Sequence, residues 1–154
     1  ITSNRLNNLE AEDTMVAILK FSSGALGTIE ATTAARPKDY EASLSVVGEK
    51  GLIVVGGIAL NKIETWNFVE PDLDDTTIPT LFSQDVPTGY GLSHGPLLQS
   101  IVDQLRSGHP INYDSVEQAF RTTSIIHAIY YSDEIKKWVK ISDNPISLRL
   151  GKNT

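Results

Sequence analysis

The strongest constraint on the fold is a block in the last third of the chain, where a glycine and a proline separate two helix patterns. The apolar residues of the first pattern recur at helical spacing and predict one buried stripe: Leu97, Leu98, Ile101, Val102 and Leu105. We expect Ser93 to cap this helix and Pro96 to lie in its first turn. Gly108 and Pro110 are expected to end it, because glycine favours a left-handed C-terminus and proline prevents the helix from restarting.

A second helix is predicted directly afterwards. Asp114 and Glu117 form a D-x-x-E variant of the capping box, which marks a helix start. The buried stripe then continues through Val116, Ala119, Phe120, Thr123, His127 and Tyr130. Residues 138–141 are predicted to form a short final strand.

The first 70 residues have strand patterns in five segments, 15–21, 25–33, 41–47, 52–55 and 61–68. Gly24 provides a tight turn between the first two, since glycine readily takes a positive φ. Gly48 and Gly51 mark a second turn. Short turns between consecutive strands predict an antiparallel meander.

Strands followed by helices predict an α+β fold with an open, mainly antiparallel sheet and helices packed on one face. At 154 residues the chain is expected to be a single domain, 1–154. Segment 15–21 is apolar on both sides of the strand, so both faces need cover. Two helices cover only one face, and we expect the other to meet a second copy of the chain or another domain.

Composition excludes several classes of function. The net charge of −6 argues against nucleic acid, whose phosphates require clustered lysine and arginine. No stretch has the 18 or more apolar residues of a membrane span. The absence of cysteine rules out disulfides, zinc–cysteine sites and a thiol nucleophile, and it fits a cytoplasmic protein. The chain also lacks an initiator methionine, which suggests a processed chain or a fragment.

His94 is the leading candidate for a functional side chain. It begins the first helix, beside Tyr90 and Gly91, at the end of an irregular segment (70–92) that contains three prolines. A neutral imidazole can donate to or accept from a sugar hydroxyl. The alternative is a helix-start histidine without a ligand.

The remaining polar residues favour structural interpretations. His109 is expected in a surface turn, and His127 as a hydrogen-bonded core histidine. The histidines show no metal-binding spacing. Four acids favour a solvated loop over a calcium loop, which needs regular alternate ligands: Glu70, Asp72, Asp74 and Asp75. The glycines form neither a phosphate cradle nor a G-x-S-x-G motif.

Segment 94–141 resembles the C-terminal domain of the Gfo/Idh/MocA oxidoreductases, which include glucose–fructose oxidoreductase and inositol dehydrogenase. The later matches are 101–110 (family F-I-D-A-L-R-x-G-x-P), Asp114 (a capping acid) and 128–132 (A-I-Y-x-S). The earlier matches are 12–13, 21–27 and 47–51. The resemblance therefore covers residues 12 to 150.

The resemblance implies the substrate and dimerisation domain of an NAD(P)-dependent oxidoreductase that acts on a sugar, inositol or nucleotide-sugar. Family members place G-x-G-x-x-G and an E-K-P lysine in an N-terminal dinucleotide-binding domain, and a D-x-x-x-H pair early in the C-terminal domain. None of these motifs occurs here. We therefore expect this chain to be most of the C-terminal domain, inactive alone, with no catalytic, cofactor-binding or metal-binding residue.

Within the chain, His94 and Tyr90 are the expected substrate contacts, and NAD or NADP would bind elsewhere in the full-length protein. The uncovered sheet face is the expected homo-oligomer contact, and no nucleic-acid or membrane partner is expected. The alternative function is a non-catalytic module that uses the same fold for dimerisation or ligand binding.

Overall fold

The fold is α+β with open antiparallel sheets, as the sequence predicted. Among the described residues there are three α-helices, one more than the two that the sequence predicted. The structure is a computed structural model, and it describes residues 2–3, 6–108 and 116–150. The chain divides into two compact units. Unit 1 comprises Ile1–Ala35 and Asn112–Thr154, and unit 2 comprises Arg36–Ile111. The strands form one three-stranded sheet in each unit rather than one continuous sheet.

The sheet of unit 1 contains β1 (Thr2–Ser3), β2 (Thr14–Lys20) and β3 (Leu26–Thr32) in that order. Both strand pairs are antiparallel. Gly24 has a φ of 93° in the turn between β2 and β3, which confirms the predicted glycine turn.

One face of this sheet is exposed and carries apolar side chains among polar ones. Val16 and Ile18 lie on it with their cross-strand neighbours Glu30 and Thr28, because alternate residues of a strand point to the same face. Ile18 is 60% exposed, whereas Ala17 on the opposite face is half-buried. The strand is therefore covered unequally, as its two apolar sides had suggested.

The long helix of unit 1 is α3 (Val116–Ile135), and it buries Ser124 and Ala128. The predicted buried stripe is wrong over the first half of this helix, where its four members are exposed: Val116, Ala119, Phe120 and Thr123. The predicted strand at 138–141 is wrong, because a 3₁₀ helix begins at Ile141 (Ile141–Asp143) and no strand is found among residues 116–150. Asn144, with a φ of 47°, donates its backbone N–H to Ile141 and ends that turn. Extended propensity over four residues needs a partner strand, and this segment has none.

The sheet of unit 2 contains β4 (Leu44–Gly48), β5 (Gly51–Gly56) and β6 (Lys62–Phe68). It is an antiparallel meander with a register shift between Val54 and Val55. Gly51 faces Phe68 across β5 and β6, and a β-carbon at Gly51 would lie 2.5 Å from the Phe68 ring. The glycine therefore makes room for an aromatic side chain as well as starting the strand.

The predicted long loop contains two short helical segments. A 3₁₀ helix spans Leu73–Thr76, and α1 (Ile78–Leu81) packs beside β6. Asp72 and Asp75 cap the 3₁₀ helix reciprocally, and Asp75 also accepts a 2.7 Å hydrogen bond from Trp66 Nε1. These two acids therefore organise the segment and are not merely solvated.

The first predicted helix is α2 (His94–Ser107), and Gly108 ends it with a φ of 70° as expected. Ser93 occupies the N-cap position, but its side chain makes no capping hydrogen bond. The predicted stripe lies on one helical face, but it is not buried, because four of its five members are exposed: Leu97, Leu98, Val102 and Leu105. Periodicity fixes which residues share a face, whereas burial depends on what packs against that face. The predicted roles of His109, Pro110 and Asp114 fall outside the described residues.

Candidate functional site

Tyr90 and His94 lie at the N-terminal end of α2, where an irregular segment enters the helix. His94 is the first residue of α2 and is exposed. Tyr90, four residues earlier, is 81% exposed. The Gly91 amide donates to the Thr88 carbonyl at 3.1 Å, which closes a tight turn around Tyr90. Tyr90 and His94, the two residues predicted to contact substrate, are therefore both exposed to solvent and lie four positions apart in the chain.

Gly89 and Gly91 of this turn lie beside the connection between β5 and β6. A β-carbon at Gly89 would lie 3.4 Å from the Ile58 carbonyl oxygen, and one at Gly91 would lie 3.5 Å from the Ala59 β-carbon. Gly91 also has a φ of 64°, a conformation that residues with a β-carbon rarely adopt. The turn that carries Tyr90 therefore rests on residues 57–60.

The segment before Tyr90 is tied to the start of β6. The Gln84 amide donates to the Asn61 carbonyl at 3.0 Å, and the Ile63 amide donates to Ser83 Oγ at 2.9 Å. Lys62 Nζ and Asp85 form an ion pair of 2.9 Å. These hydrogen bonds fix segment 83–85 beside the start of β6, although the exposed ion pair adds little stability.

The first turn of α2 is suited to an anionic or hydroxyl-bearing ligand. The amides of His94 and Gly95 have no carbonyl one turn earlier in the helix to which they could donate. Pro96 has no amide hydrogen, and a β-carbon at Gly95 would meet nothing within 4 Å. The positive end of the helix dipole is open at this point. The sequence indicated this site through His94 and the predicted helix start. It gave no sign that residues 57–60 support the turn that carries Tyr90.

The sequence did not reveal the polar centre of unit 1, which is Asp13. This side chain is 3% exposed, and its Oδ2 accepts hydrogen bonds from the amides of Leu6 (2.8 Å) and Asn7 (3.0 Å). Oδ1 accepts a further bond from the Thr14 hydroxyl at 3.0 Å. Asp13 therefore anchors the segment before β2. The position of an acid immediately before a strand was its only sequence signal.

His127 is a structural residue, as predicted. Its Nδ1 accepts a 3.2 Å hydrogen bond from the Ser147 amide, so the imidazole holds the chain that follows α3. Ser147 is 4% exposed, donates its hydroxyl to Glu134 and accepts from the Leu150 amide at 2.8 Å. Ser147, His127 and Glu134 therefore hold the chain after α3 in place. Their arrangement is structural, because the Ser147 hydroxyl donates to the Glu134 carboxylate and not to the His127 imidazole.

Tyr130 forms a second polar contact with the start of unit 1. Its hydroxyl donates to Glu12 Oε1. This hydrogen bond, together with burial and the charge of Glu12, raises the pKa of Tyr130 to about 12. The phenol therefore stays protonated as a donor and does not act as a base near neutral pH.

Unit 2 also contains a shallow cleft of about 520 Å³ beside Trp66, Phe68 and Asp75. The two aromatic rings meet edge to face at 5.3 Å. Asp75 already accepts the indole N–H and the Asp72 amide. The Asp75 carboxylate is thus committed to the local fold.

The described part of the chain contains no Rossmann turn. Gly89 and Gly91 precede α2, but a loop rather than a strand leads into them, and every strand pair between 2 and 108 is antiparallel. A Rossmann turn requires a parallel strand–helix–strand unit. Among the same residues there is no cluster of three potential metal ligands, and no helix is long and apolar enough to cross a membrane.

The fold, a meander of short strands with later helices, is that of an oxidoreductase C-terminal α/β domain. The chain belongs to the Gfo/Idh/MocA oxidoreductase family, because the sequence profile of the family's C-terminal alpha/beta domain matches residues 2–141. This confirms the resemblance inferred from the sequence. No match was found among curated proteins.

Two solved structures are similar to the chain. The WlbA dehydrogenase from Bordetella pertussis, in complex with NADH and UDP-GlcNAcA, is 32% identical with a TM-score of 0.70 over 86% of this chain. The WlbA dehydrogenase from Chromobacterium violaceum, in complex with the same two ligands, is 28% identical with a TM-score of 0.71 over 88%. The match covers only 36% and 37% of those two chains.

Proposed function

We propose that the full-length protein is an NAD(P)-dependent oxidoreductase acting on a nucleotide-sugar, and that this chain supplies part of the substrate site. Family membership supports the oxidoreductase class. The UDP-sugar held by both WlbA relatives favours a nucleotide-sugar over a free sugar or inositol. Within the chain, the exposed Tyr90 and His94 at the open N-terminus of α2 carry the proposal.

The chemistry of a nucleotide-sugar suits this end of α2. Its diphosphate is anionic, and helix N-termini favour anions through free amides and the helix dipole. The His94 imidazole can donate to or accept from a sugar hydroxyl, and the Tyr90 phenol can do the same. We propose that these two residues orient the substrate and take no part in the proton transfer.

We propose that the cofactor and the catalytic base are provided by other parts of the full-length protein. NAD(H) or NADP(H) accepts or returns a hydride when bound, and the described residues do not fit it. Oxidation of a hydroxyl also releases a proton, which needs a base within hydrogen-bond reach of that hydroxyl. No residue of this chain is assigned to either task.

We also propose that the two units belong to one domain and that the protein forms a homo-oligomer. The family profile runs across both units, which supports a single domain. The exposed apolar face of the unit 1 sheet, which includes Val16, Ile18 and the 73% exposed Leu26, supports an oligomer contact. Substitution of Ile18 by Glu is expected to lower the molar mass measured by light scattering, and a monomeric wild type would refute the oligomer.

The function is tested by assaying the full-length protein with UDP-GlcNAcA and either NAD⁺ or NADP⁺. We expect reduction of the nicotinamide and a KM for the sugar that rises about tenfold in His94→Ala, the loss of about one charged or oriented hydrogen bond. Tyr40→Phe is the control for Tyr90→Phe, because Tyr40 is an equally exposed tyrosine of unit 2 at 84%.

The assay separates this function from a non-catalytic module. Binding of the sugar without turnover by either cofactor would favour the module. An unchanged KM in both His94→Ala and Tyr90→Ala would contradict the proposed substrate contacts while leaving the oxidoreductase class in place.

A further inference from the structure

Asn61 lies at the junction of the two segments that support Tyr90. Its Oδ1 accepts a 3.1 Å hydrogen bond from the Ala59 amide, and its Nδ2 donates to the Gln84 carbonyl at 2.6 Å. Its backbone carbonyl also accepts from the Gln84 amide at 3.0 Å. One residue thus joins the β5–β6 connection to the segment that leads toward α2.

The fold makes room for this side chain. Gly57 has a φ of 85°, and a β-carbon there would lie 2.5 Å from Asn61 Oδ1. Any other residue at position 57 would push the amide of Asn61 away from the Ala59 amide. The glycine and the asparagine therefore form a matched pair within the connection.

The connection shaped in this way is the surface on which the Tyr90 turn rests. Gly89 approaches the Ile58 carbonyl, and Gly91 approaches Ala59, the residue whose amide is held by Asn61. Displacement of Ala59 would displace the support of Gly91. Loss of the bond to Gln84 would loosen the chain on the other side of Tyr90.

We infer that Asn61 is a positioning residue for the substrate site, acting through the 57–60 connection and Gln84 on the turn that carries Tyr90. The inference rests on the proposed function, since Tyr90 is a substrate contact only there. Both ends of the Asn61 side chain are bonded to backbone partners, which assigns it to holding the chain rather than to direct contact with substrate.

The test compares full-length wild type with Asn61→Ala, Asn61→Asp and the control Asn67→Ala, an exposed asparagine of β6, the strand that follows Asn61. Hydrogen exchange of residues 57–60 and 83–91 should be faster in Asn61→Ala and unchanged in Asn67→Ala. The KM for UDP-GlcNAcA should rise about five- to tenfold with kcat within about twofold, because a positioning role affects binding rather than the chemical step. Asn61→Asp keeps the acceptor for Ala59 and should recover part of the KM.

A double-mutant cycle shows whether Asn61 acts through Tyr90. In a Tyr90→Ala background, the further change Asn61→Ala should raise KM by less than about twofold, since coupled residues are not additive. Full additivity, or unchanged exchange at 83–91 in Asn61→Ala, would overturn the inference and leave the proposed function intact. An unchanged KM in Tyr90→Ala and His94→Ala would instead overturn the substrate contacts, and the positioning role with them.

Discussion

The two units use polar side chains in opposite ways. In unit 1, Asp13 and Ser147 are almost completely buried, and each has several hydrogen-bond partners in its own unit. In unit 2, Tyr90 and His94 are exposed at a helix start. Buried polar groups that lose a partner cost stability, whereas exposed groups remain available to a ligand. Both units are held by polar anchors, Asp13 in unit 1 and Asn61 in unit 2, but unit 2 also presents exposed polar groups at a helix start.

Removal of the Asp13 carboxylate should give the largest effect on stability. Asp13→Ala leaves two backbone amides and a hydroxyl without their acceptor, so we expect the free energy of unfolding to fall by about 3 kcal/mol. Chemical denaturation measures the change. Asp13→Asn keeps one acceptor and should cost less. Equal stability of Asp13→Ala and wild type would show that this cluster is not an anchor.

A β-carbon at Gly57 should cost about 2 kcal/mol, because φ is 85° and the added atom would lie 2.5 Å from Asn61 Oδ1. Gly57 and Asn61 form the anchor of unit 2 that corresponds to Asp13 in unit 1. Gly48→Ala is the matched control, since its β-carbon would meet nothing closer than 3.8 Å. Thermal unfolding measures the stability of both variants. A Gly57→Ala variant as stable as Gly48→Ala would show that Gly57 is not an anchor.

Ser147→Ala should lower the free energy of unfolding by about 1.5 kcal/mol. The substitution removes the donor to Glu134 and the acceptor for the Leu150 amide from a buried position. Ser142→Ala, which alters an exposed serine of the same region, should change stability by less than about 0.5 kcal/mol. If the two variants are equally stable, the hydrogen bonds of Ser147 contribute nothing to the free energy of unfolding.

The smallest expected effect is spectroscopic and concerns Tyr130. Ultraviolet titration should show one tyrosine with a pKa of about 12, which disappears in Tyr130→Phe. Because the folded pKa lies above the ordinary value of about 10, the contribution of this group to stability is complete below that pH and is lost as pH rises toward 12. Glu12→Gln should return the pKa toward its ordinary value. A titration in which Glu12→Gln changes nothing would exclude Glu12 as the cause.

Much of the fold was predictable because it depends on local patterns. A continuous apolar run located β2, alternation located β6, and the left-handed preference of glycine located the end of α2 at Gly108. The final strand failed, because four residues with extended propensity do not determine whether a partner strand is present. The division of the strands into two sheets also depends on pairing, which alternation does not encode.

The candidate site was only partly predictable. Tyr90 and His94 could be selected because a helix start is visible in sequence. Asn61 lies 29 positions before Tyr90 in the chain, and nothing in its neighbourhood marks it as an anchor. Its role became visible only when the distances to Ala59 and Gln84 were known. The role of Asp13 also became visible only in the structure, because the Leu6 and Asn7 amides that donate to it lie in the irregular segment before β2.

The central claim is that the N-terminal end of α2 contacts a nucleotide-sugar while the cofactor binds elsewhere in the full-length protein. Titration calorimetry of UDP-GlcNAcA and of NADH against wild type and the double variant Tyr90→Ala/His94→Ala tests both parts. We expect the affinity for the sugar to fall about tenfold or more and the affinity for NADH to remain unchanged. Unchanged affinity for the sugar, or loss of NADH binding alone, would contradict the claim.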